Sequence, residues 1–363
     1  MKTTYLLLCL LGIGSVSGAG QTKQPQKIGD FIESTSYNEH RRNATRSLQY
    51  TPDGDDFVCI NGKNRFTRAL YGSHTAFRLE TSDRPVFAAY TKENPKHICF
   101  KLQTSGGTVA LDSTEHCESR YTAGRRSYSL SDPAFGGGSL SITTWALPDK
   151  ERAIWQFNAR NFKEFHPVLL ASISEIRNSK LNRNGDMGAD PADSFEAPLQ
   201  PQQLQSFPVQ IDGTLYILLE NQELRTLTTA EGENLFKKAE AARSETASRI
   251  RIETPDPYFN TLGGTLAMAA NGIWDGEVWL HGAIGWRMPL SGWRAAYTGD
   301  VLGWHDRART HFNAYAASQV TEVPNTLPHP AQDSALHLAR SVKKWGTPQY
   351  SNGYICLLYT SDA

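Results

Sequence analysis

The sequence predicts a β + α multidomain protein in which a large antiparallel β-sandwich comes first and a helical region follows. Three observations lead to this prediction. From about residue 57 to 227, short β-branched and aromatic runs alternate with clusters of Gly, Pro, Asn and Asp. After Thr228 the apolar residues instead recur at steps of three and four. The chain of 363 residues also exceeds the length of one typical domain.

The β region is too long for a minimal seven-stranded sandwich, so we expect a large sandwich with inserted loops. Helices are expected at 230–250, 258–270, 305–319 and 332–345, although Gly263 and Gly264 weaken the second of them. Pro255 and Pro257 end the first helix. The clearest strand candidates are 57–60, 76–79, 86–90, 98–102, 139–145, 153–157, 168–173 and 215–219.

Both ends of the chain have the character of segments outside the fold. Lys2, an apolar run over 5–13 and small residues over 15–20 follow the order of a cleaved secretory signal peptide, with an uncleaved anchor as the alternative. Residues 356–363 match the translation of a common sequencing adapter, so we treat them as a non-native tail and expect the natural gene to continue beyond Ile355. We therefore expect a periplasmic or extracellular protein.

Composition limits the partners. Lys plus Arg and Asp plus Glu both number 37, and no basic block exists to neutralise a phosphate backbone, so we expect no nucleic-acid partner. No membrane contact is expected after signal cleavage, and the sequence leaves the oligomeric state open. Cys59, Cys99 and Cys117 allow one disulfide of undetermined pairing or three buried thiols.

The segment 271–306 is the strongest functional signal. It holds five of the eight tryptophans, interleaved with Asp, Glu, His and Arg. A hydrophobic core does not need this mixture, because buried charges are costly unless they are paired. A carbohydrate site does need flat apolar faces beside carboxylates. An aromatic core between helices is the alternative for any single Trp.

A family resemblance rests on four stretches: Thr254–Asn260, Asn271–Gly276, Gly292–Asp300 and Gly303–Arg309. They resemble the six-hairpin glycosidase superfamily, in particular a secreted family of polysaccharide-degrading Gram-negative bacteria. The resemblance implies an N-terminal sandwich packed on an (α/α)6 toroid, of which this chain holds only the first helical hairpins. The implied division is 1–20 signal peptide, 21–228 β-sandwich, 229–252 linker helix, 253–355 incomplete toroid and 356–363 tail.

Glycoside hydrolysis uses two carboxyl groups, an acid and a base or nucleophile. Glu277 is the first candidate, because Val278 and Trp279 give it apolar company that favours a protonated carboxyl. Asp300 is the second. The general acid of related families often lies on a later helix, so the alternative is a general acid beyond Ile355 and a chain that holds only part of the catalytic pair. Helix capping or ion pairing is the structural alternative for each carboxylate. The expected substrate-binding residues are Trp274, Asp275, Trp279, His281, Trp286, Arg287, Trp293, Arg294, Tyr297, Trp304, His305 and Asp306.

The predicted function is a secreted glycoside hydrolase that inverts the anomeric centre with water and needs no cofactor. No metal is expected at the site, and the oxygen-rich loop 182–193 departs from a calcium loop. The first alternative is a polysaccharide lyase with Tyr297 as base, His281 as helper and Arg294 neutralising a carboxylate. The second is a non-catalytic glycan-binding protein, and a sugar phosphorylase is disfavoured by export.

Overall fold

Two antiparallel β-sheets dominate the protein, and a few helices follow them. The computed structural model describes residues 50–63, 68–72, 77–90, 96–162, 167–175, 204–209, 213–280 and 296–316. A sandwich-like pair of sheets followed by helices is the coarse architecture that the sequence predicts, and it is confirmed. Three of the helices that follow the sheets are α1 (Thr229–Ala247), α2 (Pro257–Gly272) and α3 (His305–Ala316).

The first sheet has eight strands in the order β1-β2-β8-β9-β10-β11-β14-β15, and the second has the order β13-β12-β6-β5-β4-β3, with β7 also paired to β6. Each of the eight predicted runs overlaps one of these strands. The strands are β1 (Thr51–Asp53), β2 (Asp56–Ile60), β3 (Arg68–Tyr71), β4 (Arg78–Thr81), β5 (Val86–Tyr90), β6 (Lys96–Thr104), β7 (Gly107–Ala110), β8 (His116–Thr122), β9 (Arg125–Ser131), β10 (Ser139–Ala146), β11 (Ala153–Arg160), β12 (Val168–Glu175), β13 (Leu204–Pro208), β14 (Thr214–Glu220) and β15 (Glu223–Leu227).

Aromatic side chains from both sheets fill the space between them. Phe87 of β5 meets Trp155 of β11 edge to face, with ring centroids 5.5 Å apart. Phe100 of β6 lies 5.6 Å from the same indole, and Phe87 lies 5.9 Å from Tyr128 of β9. Full burial of one such side chain stabilises the fold by about 1.5–3 kcal/mol. These rings therefore hold the two sheets together.

One charged pair is buried in the sandwich. The side chains of Arg126 and Asp83 are both 0% exposed, and Arg126 Nη2 lies 3.7 Å from Asp83 Oδ1. The hydroxyl of Tyr50 also donates to Asp83, and Arg126 Nη2 donates to the carbonyl of Ser82 at 2.9 Å. Burial alone lowers the pKa of Arg126, but Tyr128, Tyr50 and Asp83 raise it above its ordinary value. The guanidinium is therefore held charged by groups built into the sandwich.

The three cysteines of the described chain are free thiols. Cys59 and Cys117 are buried, and burial raises the pKa of Cys117 to about 12. No disulfide joins these three cysteines in the structure. The alternative of buried thiols holds for Cys59 and Cys117, whereas Cys99 is partly exposed.

Helix α1 begins at a capping box and packs on the eight-stranded sheet. Thr228 Oγ1 accepts from the backbone N–H of Glu231 at 3.3 Å, while the backbone N–H of Thr228 donates to Glu231 Oε2 at 3.0 Å. Gly232 lies against the ring of Tyr216, where an added Cβ would come within 2.2 Å of the ring. The close approach of α1 to β14 therefore needs glycine at this position.

Glu240 joins α1 to two strands of the same sheet. Its Oε1 accepts from Arg243 at 2.6 Å and from Arg125 of β9 at 3.3 Å. Its Oε2 accepts from the indole N–H of Trp145 of β10 at 3.2 Å. Partial burial acts to raise the pKa of Glu240, but the hydrogen bond from Arg243 and the nearby guanidinium groups outweigh it and lower the pKa.

Helix α2 accounts for the two glycines that weakened its prediction. Asp256 caps the helix by accepting from the backbone N–H of Tyr258 at 2.9 Å. A Cβ at Gly263 would stand 2.7 Å from the carbonyl oxygen of Ile250, and one at Gly264 would stand 3.0 Å from the Cβ of Ala123. The glycines allow close packing that no other residue permits, which offsets their poor helix propensity.

Two further helical segments are described after α2. Residues 296–301 are helical, and Leu302 and Gly303 end that helix with Gly303 at φ +80°. Helix α3 then begins at His305, the residue at which a helix was predicted. None of the helices in the described ranges is long and apolar enough to cross a bilayer. Whether these helices belong to an (α/α)6 toroid stays a prediction.

Candidate functional site

A tight turn follows α2 and carries the first candidate residues. Trp274 and Trp279 form an isolated antiparallel bridge, and the backbone N–H of Asp275 donates to the carbonyl of Val278 at 3.0 Å. Gly276 in the turn has φ +97°. The side chain of Asp275 accepts at Oδ1 from the backbone N–H groups of Glu277 at 2.9 Å and Val278 at 2.7 Å. Asp275 therefore fixes the backbone that presents Glu277.

Glu277 is partly buried, whereas its neighbours Val278 and Trp279 are 0% and 1% exposed. Glu277 thus stays accessible to solvent, although the two residues that follow it are buried. That these two side chains surround the carboxyl group stays a prediction.

Three of the five tryptophans lie together. Trp274, Trp279 and Trp304 are 9%, 1% and 8% exposed and share a cluster with Leu302 and Phe312. The ring centroids of Trp274 and Trp279 are 4.6 Å apart, and those of Trp279 and Trp304 are 6.4 Å apart. Their burial favours the aromatic-core alternative and leaves little ring surface for a sugar, least of all on Trp279.

Trp279 is fixed by polar contacts as well as by packing. Its indole N–H donates to the carbonyl of Ala270 at 3.0 Å, and its backbone N–H donates to Nδ1 of the buried His311 at 3.0 Å. Its ring fills the space over Gly299, where an added Cβ would come within 2.2 Å of the indole. The turn that carries Glu277 is therefore packed directly against the helical segment that carries Asp300.

Asp300 forms a pair with His305 at the surface. The distance between His305 Nδ1 and Asp300 Oδ1 is 2.7 Å, and the two side chains are 69% and 41% exposed. An Nδ1–H that donates to the carboxylate fixes the orientation of the ring. The pair is thus a solvent-accessible carboxylate–imidazole arrangement able to hold or move a proton.

Asp306 and Tyr297 make other contacts. The side chain of Asp306 is 95% exposed and lies 3.1 Å from Arg309 in the first turn of α3. Tyr297 packs edge to face on Phe312, with ring centroids 6.4 Å apart. These contacts neither support nor oppose a role in substrate binding. That role stays a prediction for Asp306 and Tyr297.

Arg307 is a residue that the sequence analysis did not select as a site residue. Its guanidinium lies 5.7 Å from the ring centre of Trp274 and 5.0 Å from that of Trp304. Its Nη1 donates to Asn271 Oδ1 at 2.7 Å. Both residues stand in the stretches that carry the family resemblance, but the sequence does not reveal that residues 36 positions apart meet.

Several predictions fall on residues outside the described ranges. They include the signal peptide, the loop 182–193, the fourth helix and the tail. Of the candidate site residues, His281, Trp286, Arg287, Trp293 and Arg294 are in this group. Among the described residues, no three His, Cys, Asp or Glu side chains are grouped so that they could hold a metal ion.

The comparisons with known proteins bear on the sandwich and α1. The profile of one protein family, described as "Domain of unknown function (DUF4450)", matches residues 95–250. The match runs from β6 through α1 and ends before the segment 271–306. A search of curated proteins finds no match to the chain.

Proposed function

We propose that the protein is a secreted glycoside hydrolase that acts on a polysaccharide or oligosaccharide, with Glu277 and Asp300 as its carboxyl pair. The observation that carries the proposal is the exposed Asp300–His305 pair next to the cluster of buried tryptophans. The turn that carries Glu277 packs against the helical segment that carries Asp300. Two carboxyl groups in different surroundings are what glycoside hydrolysis requires.

The roles follow from the surroundings of each carboxyl group. Glu277 is partly buried and directly precedes the buried residues Val278 and Trp279, so it is the candidate acid that protonates the glycosidic oxygen. Asp300 is solvent-accessible and held by His305, so it is the candidate base that takes a proton from the attacking water. Water attacks the anomeric carbon from the face opposite the leaving group, which inverts the configuration. The leaving sugar departs with the proton from Glu277.

The wider setting belongs to the same proposal. Helix α2, the helical segment 296–301 and α3 would be the first helices of an (α/α)6 toroid, whose loops form the active-site face. The N-terminal sequence supports export, which would bring the enzyme to polysaccharides outside the cytoplasm.

The proposal is tested with the full chain on galactan, xylan and polygalacturonate, with new reducing ends as the readout. Because each carboxyl group acts in the transition state, Glu277→Gln and Asp300→Asn are expected to lower kcat by about 100-fold or more. Glu175→Gln is the matched control, since Glu175 is 70% exposed, pairs with Lys96 in the sandwich and belongs to no candidate site. It is expected to retain activity.

Three outcomes would contradict the proposal. Full activity in both Glu277→Gln and Asp300→Asn would show that these two carboxyl groups are not the catalytic pair. An unsaturated product that absorbs ultraviolet light would replace hydrolysis with β-elimination. Binding of these glycans without any turnover would favour a glycan-binding protein.

A further inference from the structure

The guanidinium of Arg307 is fixed in place on three sides. Trp274 and Trp304 flank it at 5.7 and 5.0 Å, and Asn271 accepts from Nη1 at 2.7 Å. The side chain is partly buried, so solvent still reaches part of it. A planar group held this way loses little conformational entropy when it binds a further partner.

The positive charge of Arg307 has no countercharge in the described part of the chain. No carboxylate there lies within 4 Å of it, and its hydrogen-bond acceptor Asn271 is a neutral amide. A second cation, Arg249, contacts the same indole, and its guanidinium lies 5.2 Å from the centre of the Trp304 ring. Burial, and then Arg249, lower the pKa of Arg307.

Arg249 cannot supply the missing negative charge, and its own donors are engaged elsewhere. Its Nη1 donates to the carbonyl of Leu302 at 2.7 Å, and its Nη2 lies 3.6 Å from the exposed carboxylate of Glu245. Two guanidinium groups thus share the surface of Trp304. A partly desolvated cation beside a second cation is unfavourable unless an anion joins them.

One edge of Arg307 is still available. Nη1 is used by Asn271, while Nε and Nη2 form no hydrogen bond with any described residue. Nε–H and Nη2–H point in parallel from the same edge of a guanidinium, the geometry that binds a carboxylate or sulfate through two hydrogen bonds. Arg307 also lies in the first turn of α3, where the helix dipole favours a bound anion.

We propose that Arg307 is a specificity residue that binds an anionic group on the sugar, a carboxylate or a sulfate ester. This inference rests on the proposed function and narrows its substrates to acidic polysaccharides. Arg307 follows His305 by two residues, so the anion would bind at the same end of α3 as His305, the partner of Asp300. A purely structural role accounts for the contacts with the two indole rings and for the hydrogen bond from Nη1 to Asn271. It does not account for the Nε–Nη2 edge, which has no hydrogen bond to any described residue.

The test compares matched oligosaccharides that differ in charge: galactan, sulfated galactan and polygalacturonate oligosaccharides. Binding to the full chain is measured by calorimetry and by tryptophan fluorescence, since two indoles flank Arg307. Wild type is expected to bind one of the anionic oligosaccharides at least about 10-fold more tightly than the neutral one. Which of the two anionic oligosaccharides binds identifies the carboxylate or the sulfate as the ligand.

Arg307→Gln is expected to weaken anionic binding by about 10- to 100-fold and leave neutral binding unchanged. Arg307→Lys keeps the charge and loses the paired donors. Its affinity for the anionic oligosaccharide is expected to lie between those of wild type and Arg307→Gln. Arg309→Gln is the matched control, because Arg309 lies on the same helix with 64% exposure and pairs with Asp306. It is expected to bind like wild type.

An equal or stronger affinity for the neutral oligosaccharide would overturn the inference and leave the proposed hydrolase intact. So would an anionic preference that survives in Arg307→Gln. Absence of binding to all three sugars, together with no turnover, would overturn both. Thermal unfolding confirms that each variant folds, and if Arg307→Gln does not, the anionic preference of wild type and its weakening by salt decide the question.

Discussion

Arg126 in the sandwich and Arg307 in the helical region are two guanidinium groups in similar aromatic surroundings with opposite electrostatics. Arg126 lies 5.7 Å from the ring centre of Tyr50 and 5.6 Å from that of Tyr128, and Arg307 lies between two indoles. Arg126 has the buried carboxylate of Asp83 beside it, and its pKa is raised. Arg307 has a neutral amide and a second arginine, and its pKa is lowered.

The difference separates a structural charge from a candidate binding charge. In the sandwich, the protein supplies the countercharge itself, since Asp83 lies beside Arg126. In the helical region, the compensation is missing from the described residues. Uncompensated charge at a partly accessible position is a marker of function rather than of stability.

The largest expected effect is on the sandwich pair. Asp83→Asn leaves the buried Arg126 without its countercharge and is expected to lower the free energy of unfolding by about 3–5 kcal/mol. Arg307→Gln removes a charge that no described carboxylate balances. It is therefore expected to lower the free energy of unfolding by less than Asp83→Asn does. Urea unfolding at pH 7 measures both.

The control for this comparison is Asp306→Asn, which removes an exposed ion pair and is expected to cost less than about 1 kcal/mol. If Asp83→Asn were no more destabilising than Asp306→Asn, the contrast between the two arginines would be lost.

The next effect concerns the packing of the turn that carries Glu277 against the helical segment that carries Asp300. Gly299→Ala places a Cβ within 2.2 Å of the Trp279 ring and is expected to cost about 1–3 kcal/mol. Because the turn must then shift relative to Asp300, turnover is expected to fall more than glycan affinity. Melting temperature and kcat are the measurements.

Val301→Ala is the control for Gly299→Ala, since Val301 is on the same helical segment and 86% exposed. Its cost is expected to stay within about 0.5 kcal/mol. Equal losses in the two variants would show that the Trp279–Gly299 contact has no special role.

The smallest effect is the pH dependence of the α1 anchor. The pKa of Glu240 is lower in the folded protein, so its contribution to stability is present above its unfolded value of about 4.3 and is lost as the pH falls through the lower folded value. Wild type is expected to exceed Glu240→Gln in unfolding free energy at pH 7, and the gap is expected to close toward pH 3. A gap that widens on acidification would contradict the assignment.

The sandwich was predictable because its signal is local. The run of β5 is apolar throughout, and in β10 buried residues alternate with more exposed Ser and Thr over most of the strand. Strands β8 and β9 were not named, since Arg, Glu and Ser fill much of both sequences; their signal is the alternate burial of Cys117, Ser119 and Tyr121. Gly263 and Gly264 weakened the predicted helix because glycine has a low helix propensity. Their presence is explained by close contacts with Ile250 and Ala123, which the local sequence does not reveal.

The candidate site was only partly predictable, since its meaning depends on contacts between distant residues. The sequence selected Glu277, Asp300 and the tryptophans by composition. It does not distinguish an indole that packs on Gly299 from one that stacks on a sugar, because both need the same residue type. It also does not pair Asp300 with His305 or Arg307 with Asn271, which requires the fold of the turn after α2.

The most direct test of the two-carboxylate hydrolase is proton NMR of the products during digestion of an acidic oligosaccharide by the full chain. The account predicts a saturated sugar released first as the inverted anomer, and no product from the Glu277→Gln, Asp300→Asn double variant. A vinyl proton in the product, or unchanged release by the double variant, would contradict it.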